Sequence, residues 1–122
     1  GENNSLKAEF LAELSLSNKS HYLGLSNRES LDDNMTMLFI FKDKAKRTFV
    51  MRDMDFSLDI IILSDNKIID IYKNLEPEGH EPKNHYLSSN LSDMVLEVNA
   101  GLAEKYNLKI NDYIMINRVD SL

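Results

Sequence analysis

The stretch "LDIIILSDNKIIDIYKNL", Leu58 to Leu75, constrains the fold more than any other part of the chain. Two apolar runs rich in isoleucine flank Asp65-Asn66, residue types that tolerate left-handed backbone and so close a tight hairpin. Strands are predicted over about 58–64 and 67–74. Ile60 to Leu63 are apolar without a break, which reads as a strand buried on both faces at the centre of a sheet. Such a strand needs cover on each side, and the remaining sequence has to supply it in short pieces.

The pieces can be read in order. "EFLAELSL" places Phe10, Ala12, Leu14 and Leu16 on one parity, the pattern of a half-buried strand. Ser17 or Asn18 can cap a short helix over about 18–26. "TMLFIF", Thr36 to Phe41, is an apolar strand. "KDKAKR", Lys42 to Arg47, then reads as a hairpin tip kept soluble by its lysines, with "TFVM" as the returning strand. Leu75 to Asn90, with two prolines and a glycine, reads as one long loop, and such loops are often functional. A strand is predicted at about 93–98, a short helix through "AGLAEKY" capped by Asn99, and a last strand over Tyr113 to Arg118. Asn107 and Asn111 fall where positive φ is wanted.

The sum is six or seven short strands and two short helices without a βαβ repeat. That predicts an α+β fold, mainly antiparallel, with a barrel-like or strongly coiled sheet. One domain is expected over 10–122, after a polar lead-in at 1–9 whose Gly1 reads as a cloning or processing scar. From that opening an extracytoplasmic protein is expected, released from a signal segment, with the cytoplasm as the alternative.

Composition narrows the chemistry. Twenty acidic residues against 14 basic give a net charge of −6, which argues against nucleic acid as a partner. No apolar run approaches the roughly 18–20 residues of a membrane span. Without cysteine there can be no disulfide, zinc-thiolate site or cysteine nucleophile. No nucleophile elbow, phosphate loop or dinucleotide fingerprint occurs, and no cofactor is implied.

Five blocks carry a resemblance. "GLSNRESL" (24–31), "MTMLFIF" (35–41), "FVMRDM" (49–54), "SLDIIIL" (57–63) and "LEVNAG" (96–101) follow one another in that order. Together they resemble the domain of unknown function 192 family, small bacterial and archaeal domains often made with a signal peptide. The family pattern reads GLM-x-R, GMLF-x-F, FWMKNT, PLDIIF and LE-x-nAG, and the match runs from about 10 to 118. This chain departs from it at Ser26, Thr36, Val50, Arg52, Asp53, Met54 and Ser57. The resemblance implies an architecture and no activity.

Between two apolar runs lies a charged knot, Arg52, Asp53 and Asp55, with Asp59 just beyond. Asp59 enters an apolar strand, and an unpaired buried charge costs several kcal/mol. It therefore needs a partner, and Arg52 or Arg28 is the expected one, with Asp53 and Asp55 facing water. Three readings follow: a fixed ion pair closing one end of the sheet, a polar pocket of Arg28, Arg52, Asp53, Asp59 and Glu97, or a plain solvated turn. The loop residues Glu76, Glu78, His80, Glu81 and His85 could ligate a divalent metal, of which Glu78, His80 and His85 are the weak candidates, but little in the sequence holds them rigid. The functional expectation is a non-catalytic binding or accessory domain for a small ligand, glycan or protein partner. The alternative is an enzyme of unassigned reaction using the pocket around Arg52 and Asp59.

Overall fold

The computed structural model describes residues 6–117. Its centre is the hairpin of β4 (Leu58–Ser64) and β5 (Lys67–Leu75), whose register pairs Ser64 with Lys67 across the two-residue turn. Asp65 and Asn66 have φ of 51° and 65°, both positive, as a turn matched to strand twist requires. β7 (Ser92–Asn99) pairs antiparallel with β4, β2 (Met35–Ala45) with β7, and β1 (Leu11–Ser15) with β2. The order is β1-β2-β7-β4-β5, which puts Ile60 to Leu63 inside the sheet and fully buried.

The architecture is α+β and mostly antiparallel, with two short helices. The expected barrel is corrected: β1 and β5 are separate edges of an open sheet. One pair is also parallel, β1 with β2, because the chain crosses over through α1 (Asn18–Leu23) between them. Ser17 caps α1 reciprocally with Ser20, and Gly24, at φ 50°, ends it three residues earlier than predicted.

The predicted hairpin around "KDKAKR" does not form. β2 needs a partner on each side to bury Met37, Leu38 and Phe39, and it finds them in β1 and β7. β3 (Thr48–Phe49) pairs instead with β6 (Tyr86–Leu87), a two-residue strand inside the segment read as loop. Arg47 is not a solvated tip residue either. Its guanidinium lies 3.6 Å over the Phe41 ring, Nε donates to the Ser92 carbonyl at 3.2 Å, and Nη2 donates to Asp43.

α2 (Leu102–Lys105) is capped from Gly101, not Asn99, whose amide instead donates to the Leu31 carbonyl and to Asp33. The predicted last strand is reduced to one bridge, Tyr113 to Lys67, and its Arg118 lies outside the described residues, as do residues 1–5 of the lead-in. Asn107 and Asn111 do adopt positive φ.

Alternation along each strand splits the core in two. Met37, Phe39, Leu58, Ile60, Ile62 and Val95 face one side, packed with Leu25, Met51 and Met54. Leu38, Ile61, Leu63, Ile68, Met94 and Val98 face the other, under Leu102 of α2. Neighbouring residues on one strand thus serve opposite faces, and this decides where every candidate site residue goes.

Candidate functional site

Asp59 pairs with Val98 in the β4–β7 register and shares the face covered by α2. The charged knot lies on the other face, with Met51 and Met54 in its core. Neither Arg52 nor Arg28 therefore reaches Asp59, and the expected ion pair is corrected. Its fully buried carboxylate is satisfied by backbone: Oδ1 accepts from Asn74 N–H at 2.8 Å, and Oδ2 from Gly101 and Ala103 N–H at 3.1 and 2.9 Å. Three amide donors solvate the charge as well as a guanidinium would, and they tie β5 and the start of α2 to β4.

The remaining members of the predicted pocket also separate. Arg28 makes a two-pronged pair with Glu13 of β1, whose carboxyl those hydrogen bonds hold below its usual range. Asp53, with φ 53°, lies 3.4 Å from His80 Nδ1. Asp55 is exposed, as expected. The weak metal candidates do not gather: Glu78 Oε1 accepts from Lys83 and Asn84 N–H, ordering its own loop. Among the described residues no group of His, Asp or Glu side chains converges as a metal would require.

Arg52 and Glu97 do come together, as lining of one cleft of about 530 Å³ on the first face of the sheet. The knot is a rigid mount for Arg52. Ser26 Oγ donates to the Arg52 carbonyl at 2.7 Å and Asn27 N–H to the Asp53 carbonyl at 2.9 Å. From the other side Glu78 N–H donates to the Met51 carbonyl, and Asp53 N–H to the Gly79 carbonyl. The guanidinium so placed lies 4.8 Å from the centroid of Tyr22, and among the described residues it makes no ion pair.

Glu97 sits on β7 between Met37 of β2 and Ile60 of β4. It is 6% exposed, and no donor among the described residues bonds its carboxyl. Burial pushes its pKa up to about 8, so at neutral pH it carries a proton and can donate it. Gly24 crosses directly over it: a Cβ there would lie 3.6 Å from Glu97 Oε1 and 3.4 Å from Phe39, in a conformation L side chains rarely adopt. Phe39, Phe41, Phe49 and Met54 add apolar wall.

His21 closes one side. Its Nε2 lies 2.8 Å from the Ser15 carbonyl and 3.1 Å from the Ile40 carbonyl, two acceptors, so that nitrogen carries the hydrogen. His21, Phe41 and Arg47 also border a second depression of about 300 Å³. Sequence reasoning missed Tyr22, Gly24 and Arg47 as cleft residues. An arginine among lysines in "KDKAKR" was the available signal for the last.

The family model of the domain of unknown function 192, an uncharacterized ACR, matches residues 2–116. The chain belongs to this family. Two solved structures share the domain's fold. A protein of unknown function from Novosphingobium aromaticivorans DSM 12444 is 30% identical, with a TM-score of 0.80 over 85% of this chain and 73% of that one. A protein from Sinorhizobium meliloti 1021, provisionally described as a transcription regulator, is 26% identical, with a TM-score of 0.79 over 85% of this chain and 79% of that one. No curated protein matches the chain. In this member of the family, Glu97 stands at the Glu of the LE-x-nAG block and Arg52 at the cation of the FWMKNT block.

Proposed function

We propose that the chain is a non-catalytic binding domain for a small ligand, held in the cleft between the sheet, α1 and the 49–54 segment. The observation that carries this reading is Glu97, whose carboxyl bonds no donor among the described residues and opens on an aromatic-lined cleft. A polar group set in an apolar cleft wall is what fixes a small ligand's orientation, so a carboxyl open there is supported best as a contact for something that enters it. A volume of about 530 Å³ lies within the range of small-molecule sites. The enzyme alternative rested on Arg52 acting with Asp59. The sheet lies between those two, and Asp59 is already saturated by three N–H donors.

The regulator description of the Sinorhizobium protein is not carried over, because a net charge of −6 works against binding a phosphate backbone. The proposed place of action is outside the cytoplasm, on the ground that family members are often made with a signal peptide. Fractionation of the full-length gene product checks it.

Fragment screening against isotope-labelled protein tests the cleft. Hits should move the amide signals of Tyr22, Gly24, Phe49 and Arg52 together, and Glu97→Leu should abolish them. Hits scattered over the surface and indifferent to that substitution would remove the reading.

A further inference from the structure

The charges around the cleft run against those of the whole chain. Arg47, Arg52, His21 and His85 line it, and Glu97 is the one acid among its described lining residues, in a protein whose net charge is −6. The arginines are not equivalent. Arg47 is committed to Asp43, the Ser92 carbonyl and the face of Phe41. Arg52 is held by its backbone while its guanidinium lies over the ring of Tyr22 and, among the described residues, makes no ion pair. A cationic ligand would seek aromatic faces, yet those of Tyr22 and Phe41 already carry guanidinium groups. It would also approach two fixed positive charges. An anion meets the opposite situation.

We propose that the ligand is an organic anion with an aryl-sized apolar body: its charged group binds the Arg52 guanidinium, its body packs against Phe39, Phe49 and Met54, and an acceptor oxygen takes the hydrogen of the Glu97 carboxyl. This rests on the cleft being a ligand site and names what the site selects. The planar fork of arginine suits a carboxylate in two-point contact, and a protonated carboxyl lining the same cleft adds a donor without adding charge. Burial supplies that protonation, with the Glu97 value raised to about 8. The charged and titratable groups facing Glu97 across the cleft are His21 and Tyr22 from α1, Arg47 and Arg52 from either side of β3, and His85 before β6. Its neighbours in the sheet contribute only Met37 and Ile60.

The test uses three probes of one shape: benzoate, benzamide and benzylamine, titrated into the protein and followed on the amide signals of the cleft. Benzoate should bind more tightly than both others. Arg52→Gln should weaken benzoate roughly tenfold, the effect of losing one charge-assisted contact, and leave benzamide unchanged. Raising the pH through about 8 should weaken benzoate in the wild type as Glu97 ionises beside it. Glu97→Gln should remove that part of the pH dependence. Because Arg52 is on the cleft surface, amide signals away from the cleft should confirm that Arg52→Gln is folded. A preference for benzylamine, or benzoate binding indifferent to Arg52→Gln, would overturn the anion and leave the cleft a ligand site. Failure of all three probes to move the cleft signals would overturn both.

Discussion

Asp59 is a charge held without a charged partner. Its two oxygens take three backbone N–H groups from two places in the chain, Asn74 of β5 and Gly101 with Ala103 at the start of α2. Asparagine has the same outline but offers one oxygen and turns its amide hydrogens toward donors. Asp59→Asn should therefore leave at least one buried N–H unsatisfied and cost about 2–4 kcal/mol. Asp55→Asn, at an exposed position, should stay within about 0.5 kcal/mol. Urea unfolding of both variants checks the contrast, and equal small shifts would contradict it. The sequence showed that residue 59 needed a partner, since its apolar surroundings are legible. Which partner was not legible, because an amide N–H belongs to every residue and marks none. A search among side chains finds arginine and misses the backbone. Glu97 could be named for the same reason that Asp59 could, an acid in an apolar strand, whereas its place opposite Arg52 depends on which face each strand presents.

At the level of elements, the hairpin of β4 and β5 was readable because its information is local: apolar runs, two residues of turn-forming type and a spacing of two. Its strands are also where stability concentrates. Ile61 is fully buried between β5 and β7, opposite Ile71 and Leu96. Ile61→Ala should cost about 2–5 kcal/mol through the cavity it leaves. A denaturation midpoint unchanged within error would show that this site collapses around the loss. The pairing of β3 with β6 was not readable, since each contributes two residues and carries no period. Nor was the parallel docking of β1 on β2. Alternation in "EFLAELSL" reports that one face is apolar, and it says nothing about strand direction. The barrel expectation failed on the same ground, because strand number and spacing do not show whether the two edges meet.

For the whole molecule, one buried carboxyl should set the shape of the stability curve. In the folded chain Glu97 keeps its proton up to about pH 8, whereas an unfolded chain loses it near the usual glutamate value of about 4.3. Between those values the native state binds more protons than the unfolded state, so stability falls as pH rises through the window. Below it both forms are protonated and nothing is lost. Above it both are ionised, and the accumulated loss is on the order of 3–5 kcal/mol. The depressed carboxyls act in the opposite sense: Glu13, bonded by Arg28, Asp43, bonded by Arg47, and Asp112, bonded by Lys7, lose their contribution as pH falls through their lowered values. All three pairs are at the surface and contribute little. The maximum should therefore lie on the acidic side of neutrality. Urea midpoints taken from about pH 5 to about pH 9 should fall steadily for the wild type, and Glu97→Gln, neutral throughout, should flatten the profile and become the more stable protein at the alkaline end. An anion held by Arg52 and the Glu97 hydrogen would steepen the fall, because it binds only the folded, protonated form and adds its own binding energy on that side alone. A wild-type profile that is level across the window, with Glu97→Gln parallel to it, would mean that water already reaches this carboxyl, and the cleft would then have no protonated donor to offer a ligand.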